Sequence, residues 1–188
     1  MSATRERTGV AATAANAPKV SAVSDAAFAR QAFAQFPSGV SVLAVDNGGE
    51  RHAMVASSFM VGVSLEPCLV AVAIQRDSET WPSIRRADTI GVSIFASGQG
   101  ELTRQLAGRD RAKRFDQVAV EVDESGALYI EDAAMWLETS IYQETEAGDH
   151  WMVLLQVSRL GVDVDTDPLI WHGARFRELA RDASIDVR

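Results

Sequence analysis

The chain has 188 residues, 47% of them hydrophobic and 23% charged, with a formal net charge of −8. That length suits one domain with a sizeable core, and the acidic balance argues against a nucleic-acid surface, because phosphate binding needs clustered Lys and Arg. The lone cysteine, Cys68, excludes an intramolecular disulfide and a cysteine-based zinc site, and no metal site is expected. No apolar stretch reaches membrane-spanning length and no signal-peptide core opens the chain, so a cytoplasmic protein with no membrane partner is expected.

Residues 1–23 are rich in Ala, Thr and Ser without periodicity and read as a disordered tail. The domain is expected over 24–178, with a short tail at 179–188. A helix should start with Ser24 as N-cap, followed by Asp25. Phe28, Ala32, Phe33 and Phe36 share one face of it, and Pro37 and Gly39 end it. "GVSVLAVD" (39–46) reads as a strand, "NGG" (47–49) as a tight hairpin turn, and "RHAMVASSF" as the returning strand. "CLVAVAI" (68–74) is a continuous apolar run, hence a strand buried on both faces, with Cys68 a buried, inert thiol. A short helix follows, with Ser78 as a cap and Pro82 in its first turn. Next come a strand, "TIGVSIF" (89–95), and a helix, "GELTRQLAG" (100–108), closed by Gly108. "RDRAKR" (109–114) reads as a solvated loop. The last third is strand-rich: "VAVEV", "ALYI", "AMWLETSIYQETEA", "HWMVLLQVSRLGV" and "LIWHG". Many consecutive strands separated by turns argue for a mainly β closed antiparallel barrel with peripheral helices. The phosphate loops "GxGxxG" and "GxxxxGK[ST]" are absent from the sequence.

Four stretches carry candidate chemistry, each beside a bland alternative. In "HAMVASSF", small side chains let a planar ligand approach the backbone; the alternative is a strand end whose hydroxyls make local bonds. In "QRDSETW", Ser78 and Thr80 open a helix, where free N–H groups attract phosphate; the alternative is simple capping. In "GDH", His150 stands where a turn becomes a central strand, and imidazole there donates or accepts near neutral pH; the alternative is a histidine that closes a turn. In "PLIWHGARF", a Trp-His-Gly cluster reads as a stacking wall, a core edge or a dimer contact.

The order "FAQFPSGVSVLAV", "ASSF…VSLEPCLVAVAI", "DSETW", "GDH", "PLIWHGARF" resembles the flavin reductase-like family over about residues 26–177. The resemblance implies a split β-barrel of Greek-key type, a homodimer, and reduction of FMN or FAD by NADH or NADPH. It implies delivery of reduced flavin to a separate flavin-dependent monooxygenase. It places Arg51, His52, Ala53, Met54, Val55, Ala56, Ser57 and Ser58 along the isoalloxazine ring. Gln75, Ser78 and Thr80 run toward the ribityl chain and phosphate, and the helix of Gln105 and Leu106 borders the flavin. It gives His150 the catalytic position facing flavin and nicotinamide, and Trp171, His172 and Gly173 the nicotinamide nucleotide. Val55 stands where the family commonly has Thr, "EPC" replaces "EPP" or "DPP", and one extra residue before Ser64 predicts a β-bulge at Gly62. Two further readings stay open: a flavin-binding barrel without turnover, and a pyridoxamine-phosphate oxidase-like enzyme. Trp136, Trp151 and Trp171 are many large aromatics for one small barrel, so some are expected at a subunit contact.

Overall fold

The computed structural model describes residues 20–179; most of the first expected tail, and all but Leu179 of the second, lie outside them. The chain opens with α1 (Ala26–Phe33) and a two-residue strand, β1 (Ser38–Gly39). The N-cap is Asp25, not Ser24. Asp25 Oδ1 accepts from the Phe28 N–H at 2.8 Å, while Ser24 Oγ donates to Asp25 Oδ2. A carboxylate is the stronger acceptor at a helix start, and the same bond lowers the Asp25 pKa from its ordinary value. The apolar face expected on this helix packs on little of its own chain. None of the α1 residues is buried, and Phe33 and Phe36 are 73% and 75% exposed.

A hairpin follows, β2 (Ser41–Asn47) and β3 (Glu50–Ala56). Its turn residues Gly48 and Gly49 have φ of 69° and 97°, the left-handed pair that an "NGG" turn supplies. Next come β4 (Met60–Leu65) and β5 (Cys68–Gln75). Gly62 has φ 70° and the β4–β5 register shifts between Met60 and Ser64, so the extra residue forms a bulge there as expected. In β5, Leu69 to Val72 and Ile74 are buried, but Cys68 is only half-buried, because it sits where the strand emerges from its turn. The chain continues through α2 (Trp81–Ile84), β6 (Ile90–Ile94), α3 (Gly100–Leu106), β7 (Val120–Val122), β8 (Leu128–Ile130) and β9 (Met135–Ala147). It ends with β10 (His150–Val162), β11 (Ile170–His172) and β12 (Arg175–Arg177).

Seven strands form one antiparallel sheet in the order β3-β2-β6-β9-β10-β5-β4. Two small sheets, β1-β11-β12 and β7-β8, flank it. The architecture is mainly β with short helices. The long β9–β10 hairpin turns at Gly148, whose φ is 66°. β10 is central, pairing with β9 on one side and β5 on the other, and His150 lies opposite Gln75. Side chains of β2 alternate between two cores. Leu43 and Val45 join Val72, Trp81, Ile84 and Val153 in one; Val42 and Ala44 join Phe95, Leu106 and Leu128 in the other. Each fully buried large side chain contributes roughly 1.5–3 kcal/mol, so both faces of β2 hold the hairpin rigid. Gly91 lets β6 approach β8 closely: a methyl group there would lie 2.2 Å from the Leu128 carbonyl oxygen. No helix among the described residues is long and apolar enough to cross a membrane.

Candidate functional site

β3 ends the seven-stranded sheet, so one of its backbone edges has no strand partner there. A cleft in two arms runs along it. The longer arm, about 730 Å³, is walled by Met54 to Ser58, by Ala73 to Gln75, by the 77–80 loop and by His150. The shorter arm, about 400 Å³, is walled by Gly49 to Ala53, Ser83, Ala112 and Phe115. Glu79, Thr80, Arg111 and Arg114 stand in both walls and mark the junction. Both volumes fall within the range of small-molecule sites.

In the basic run 109–114, residues 109–113 are exposed, as the sequence suggested, but Arg114 departs from that reading. The run folds back from the end of α3, and Arg114 is half-buried. Arg114 Nε donates to Gly108 O at 2.8 Å, and Nη1 donates to Ala53 O at 2.8 Å and to Thr80 Oγ1 at 3.2 Å. One guanidinium thus ties β3, the start of α2 and the end of α3. Burial, followed by repulsion from Arg111, lowers its pKa from the ordinary value, yet an arginine stays charged. Arg111 pairs with Glu79. Arg109 lines the longer arm and has no partner among the described residues. Gln105, expected against the flavin, lines neither arm. Its Nε2 donates to the carbonyls of Lys113, Arg114 and Asp116 at 3.3, 3.2 and 2.8 Å. It holds the basic segment in place.

At the helix opening expected to attract phosphate, the N–H groups of α2 itself are taken, while those of Glu79 and Thr80 just before it have no acceptor among the described residues. Trp81 N–H donates to Ser78 Oγ at 3.2 Å, and Ser83 and Ile84 N–H both donate to Thr80 O. Pro82 carries no N–H. Ser78 thus takes the first N–H of α2 as the sequence suggested, although Thr80, without a side-chain capping bond, holds the N-cap position; the Ser78 hydroxyl proton is directed at Met54 Sδ, 3.7 Å away. The cations at this end of the cleft are the arginines. Ser58 bonds not locally but across to β5: its Oγ donates to Ala73 O at 2.9 Å and accepts from Ala73 N–H at 3.3 Å. Ser57 stays exposed in the wall.

His150 lines the longer arm with its side chain 34% exposed. Its Nδ1 lies 2.7 Å from Asp149 Oδ1. A carboxylate only accepts, so Nδ1 carries the proton and Nε2 is left for the cleft. The same hydrogen bond holds the Asp149 pKa below its ordinary value. Trp171, His172 and Gly173 are not brought to this cleft. Trp171 pairs with Ser38 in the small sheet and meets Phe176 edge-on at 5.2 Å. Gly173 N–H donates to Ala34 O at 2.6 Å.

The chain belongs to the flavin reductase like domain family, whose model matches residues 33–180. The NADH-dependent FAD reductase of Streptomyces globisporus is 34% identical over 158 residues, covering 82% of this chain and 86% of that protein. The reductase component of 4-hydroxyphenylacetate 3-monooxygenase from Thermus thermophilus is 30% identical over 151 residues, covering 80% of this chain and 94% of that protein. Among solved structures, the Streptomyces globisporus C-1027 NADH:FAD oxidoreductase in complex with NAD and FAD fragments superposes with a TM-score of 0.81 at 32% identity. It covers 89% of this chain and 100% of that one.

Proposed function

We propose that the longer arm of the cleft holds the flavin ring and ribityl chain. Its phosphate meets Arg109, Arg111 and Arg114 beside Ser78 and Thr80, and His150 faces the nicotinamide. The chain is an NAD(P)H-dependent flavin reductase acting on FMN or FAD with NADH or NADPH. One observation carries the placement: in a chain of net charge −8, three guanidinium groups gather along a cleft that has an imidazole in its wall.

The residues fit the group. Ala56, Ser57 and Ala73 leave room for a flat ring close to the backbone, Val55 adds no hydroxyl, and the arginines suit a phosphate. When bound, flavin and nicotinamide supply the redox chemistry themselves, a hydride passing from nicotinamide C4 to flavin N5. The chain orients the two rings and aims donors at developing negative charge. The cleft is the split of a barrel whose gap Ser58 bridges to β5. The single domain of 24–178 works in the cytoplasm and passes reduced flavin by diffusion to a separate flavin-dependent monooxygenase.

Purified protein mixed with NADH and excess FMN or FAD is expected to consume many equivalents of NADH, followed by its absorbance. Consumption limited to one equivalent per chain would make this a flavin carrier. Ser78→Ala is expected to weaken FMN binding about tenfold, since a bond to a charged group is worth about 1.5–3 kcal/mol. Riboflavin, which lacks the phosphate, should be held almost as before. Equal losses for both would leave Ser78 as a cap alone.

The active unit is a homodimer. Trp136, Trp151 and Trp171 are each partly buried within their own chain, which leaves part of each ring for a subunit contact. Phe33 and Phe36 are exposed, as are Met60, Val61 and Leu65 on the edge strand β4. Trp171, His172 and Gly173, remote from the cleft of their own chain, reach a nicotinamide only in a second copy. Light scattering at micromolar concentration is expected to give twice the chain mass of 20.3 kDa; a monomer counts against the dimer.

A further inference from the structure

The cleft is longer than the flavin site requires. Met54 to Ser58 wall one arm and Glu50 to Ala53 the other, so the arms lie end to end along the edge of one strand. Glu50 to Ser58 spans about 27 Å at the strand rise per residue. The cations concentrate where the arms join. Arg111 and Arg114 stand in both walls, and Arg114 Nη2 has no acceptor among the described residues, its Nε and Nη1 being committed to protein oxygens. Arg111 is held by Glu79, but both side chains are well exposed, and an ion pair of that kind is weak.

Beyond the junction the character of the wall changes. Arg51 is paired with Asp46 and Glu50 lies 3.5 Å from His52 Nε2, and the remaining surfaces include the half-buried His52 and Phe115. That end suits an uncharged body with a flat ring, not another phosphate. His150 lines only the longer arm, so the nicotinamide it faces lies there and not in the shorter one.

We propose that the shorter arm takes the adenosine of FAD, with the diphosphate at the Arg111–Arg114 junction, and that this chain therefore prefers FAD to FMN. The proposal rests on the longer arm being the flavin site. FMN would end at the junction and leave the shorter arm without a ligand.

Calorimetric titration of the purified chain with riboflavin, FMN and FAD, beside NADH oxidation with each, tests it. FAD is expected to bind at least about tenfold tighter than FMN. ADP alone is expected to displace FAD while riboflavin stays bound. Ala112→Trp, which fills the shorter arm, is expected to bring FAD within about threefold of FMN; if that variant does not fold, the wild-type titrations decide. Equal binding of FMN and FAD overturns the proposal. So does an ADP effect that raises the KM for NADH without weakening FAD, which would assign the shorter arm to the nicotinamide dinucleotide. Failure to reduce any flavin would instead sink the reading of the longer arm. Reduction of FMN and riboflavin without an FAD preference would sink this proposal alone.

Discussion

Arg114→Ala is expected to weaken FMN and FAD binding by about a hundredfold, or about 2.7 kcal/mol, and to lower the unfolding temperature in the same variant. Two separate effects follow from one side chain. Its Nε and Nη1 satisfy Gly108 O, Ala53 O and Thr80 Oγ1. Hydrogen bonds to a charged group contribute roughly 1.5–3 kcal/mol each, but three bonds from one guanidinium are not additive. A stability loss of about 3 kcal/mol is expected, the cost of partly buried acceptors left without a donor. Loss of the tie also frees the 109–114 segment, so Arg109 and Arg111 lose their positions as the phosphate partner disappears. Riboflavin affinity should fall much less than FMN affinity. Arg114→Lys should recover part of the charge effect and little of the stability, because a single ammonium does not reproduce the planar fork that reaches three acceptors. Equilibrium titration with FMN and riboflavin, beside thermal unfolding, separates the two effects. A lower unfolding temperature with unchanged FMN affinity would reduce Arg114 to a structural tie.

The residues that sequence reading found and those it missed differ in the range of the interactions that place them. "CLVAVAI" became a strand with a run of buried residues, as a continuous apolar stretch implies, whereas "HWMVLLQV" became a central strand in which only Val153 and Leu155, on one face, are buried and Met152 and Gln156 are exposed. The "NGG" turn and the Gly62 bulge were legible because each depends on a local left-handed residue. The start of α1 moved by one residue because Ser24 and Asp25 are adjacent acceptors, and the charged one won. Met54 to Ser58, Gln75, Ser78, Thr80 and His150 do converge on one arm of the cleft. Arg109, Arg111 and Arg114 were missed because a six-residue charged run without periodicity looks like a solvated loop. What turns Arg114 inward is nonlocal: it reaches Ala53, 61 residues away in sequence. The one local hint was Gln105, a helical amide eight residues before the first of three carbonyls it collects. Arg51, His52 and Ala53 were placed on the right strand but wall the other arm. For Trp171, His172 and Gly173, no sequence pattern says whether a strand serves its own cleft or that of another copy.

His150→Ala is expected to slow hydride transfer by about tenfold to a hundredfold while leaving flavin affinity nearly intact, a loss at or below that of an oxyanion-hole donor. The argument is geometric. In the proposed placement the flavin is held by the 54–58 edge, the 75–80 segment and the arginines, whereas His150 lines the same arm from the end of the β9–β10 hairpin, its Nδ1 taken by Asp149. The Nδ1 bond to Asp149 fixes the ring and its tautomer, and the turn itself is held by Arg76 N–H donating to Asp149 O at 3.0 Å. A ring so held positions a second ring or stabilises growing charge. Neither role makes it an obligatory acid, so the rate should fall and not vanish. Asp149→Asn keeps an acceptor for Nδ1 and removes a charge that is 93% exposed. Solvent already screens that charge, so its effect should be several-fold smaller than that of His150→Ala. Stopped-flow reduction of the flavin-loaded variants by NADH measures both. An unchanged reduction rate in His150→Ala, with unchanged NADH affinity, would return His150 to the role of closing a turn, and a larger effect in Asp149→Asn would place the working charge on the carboxylate.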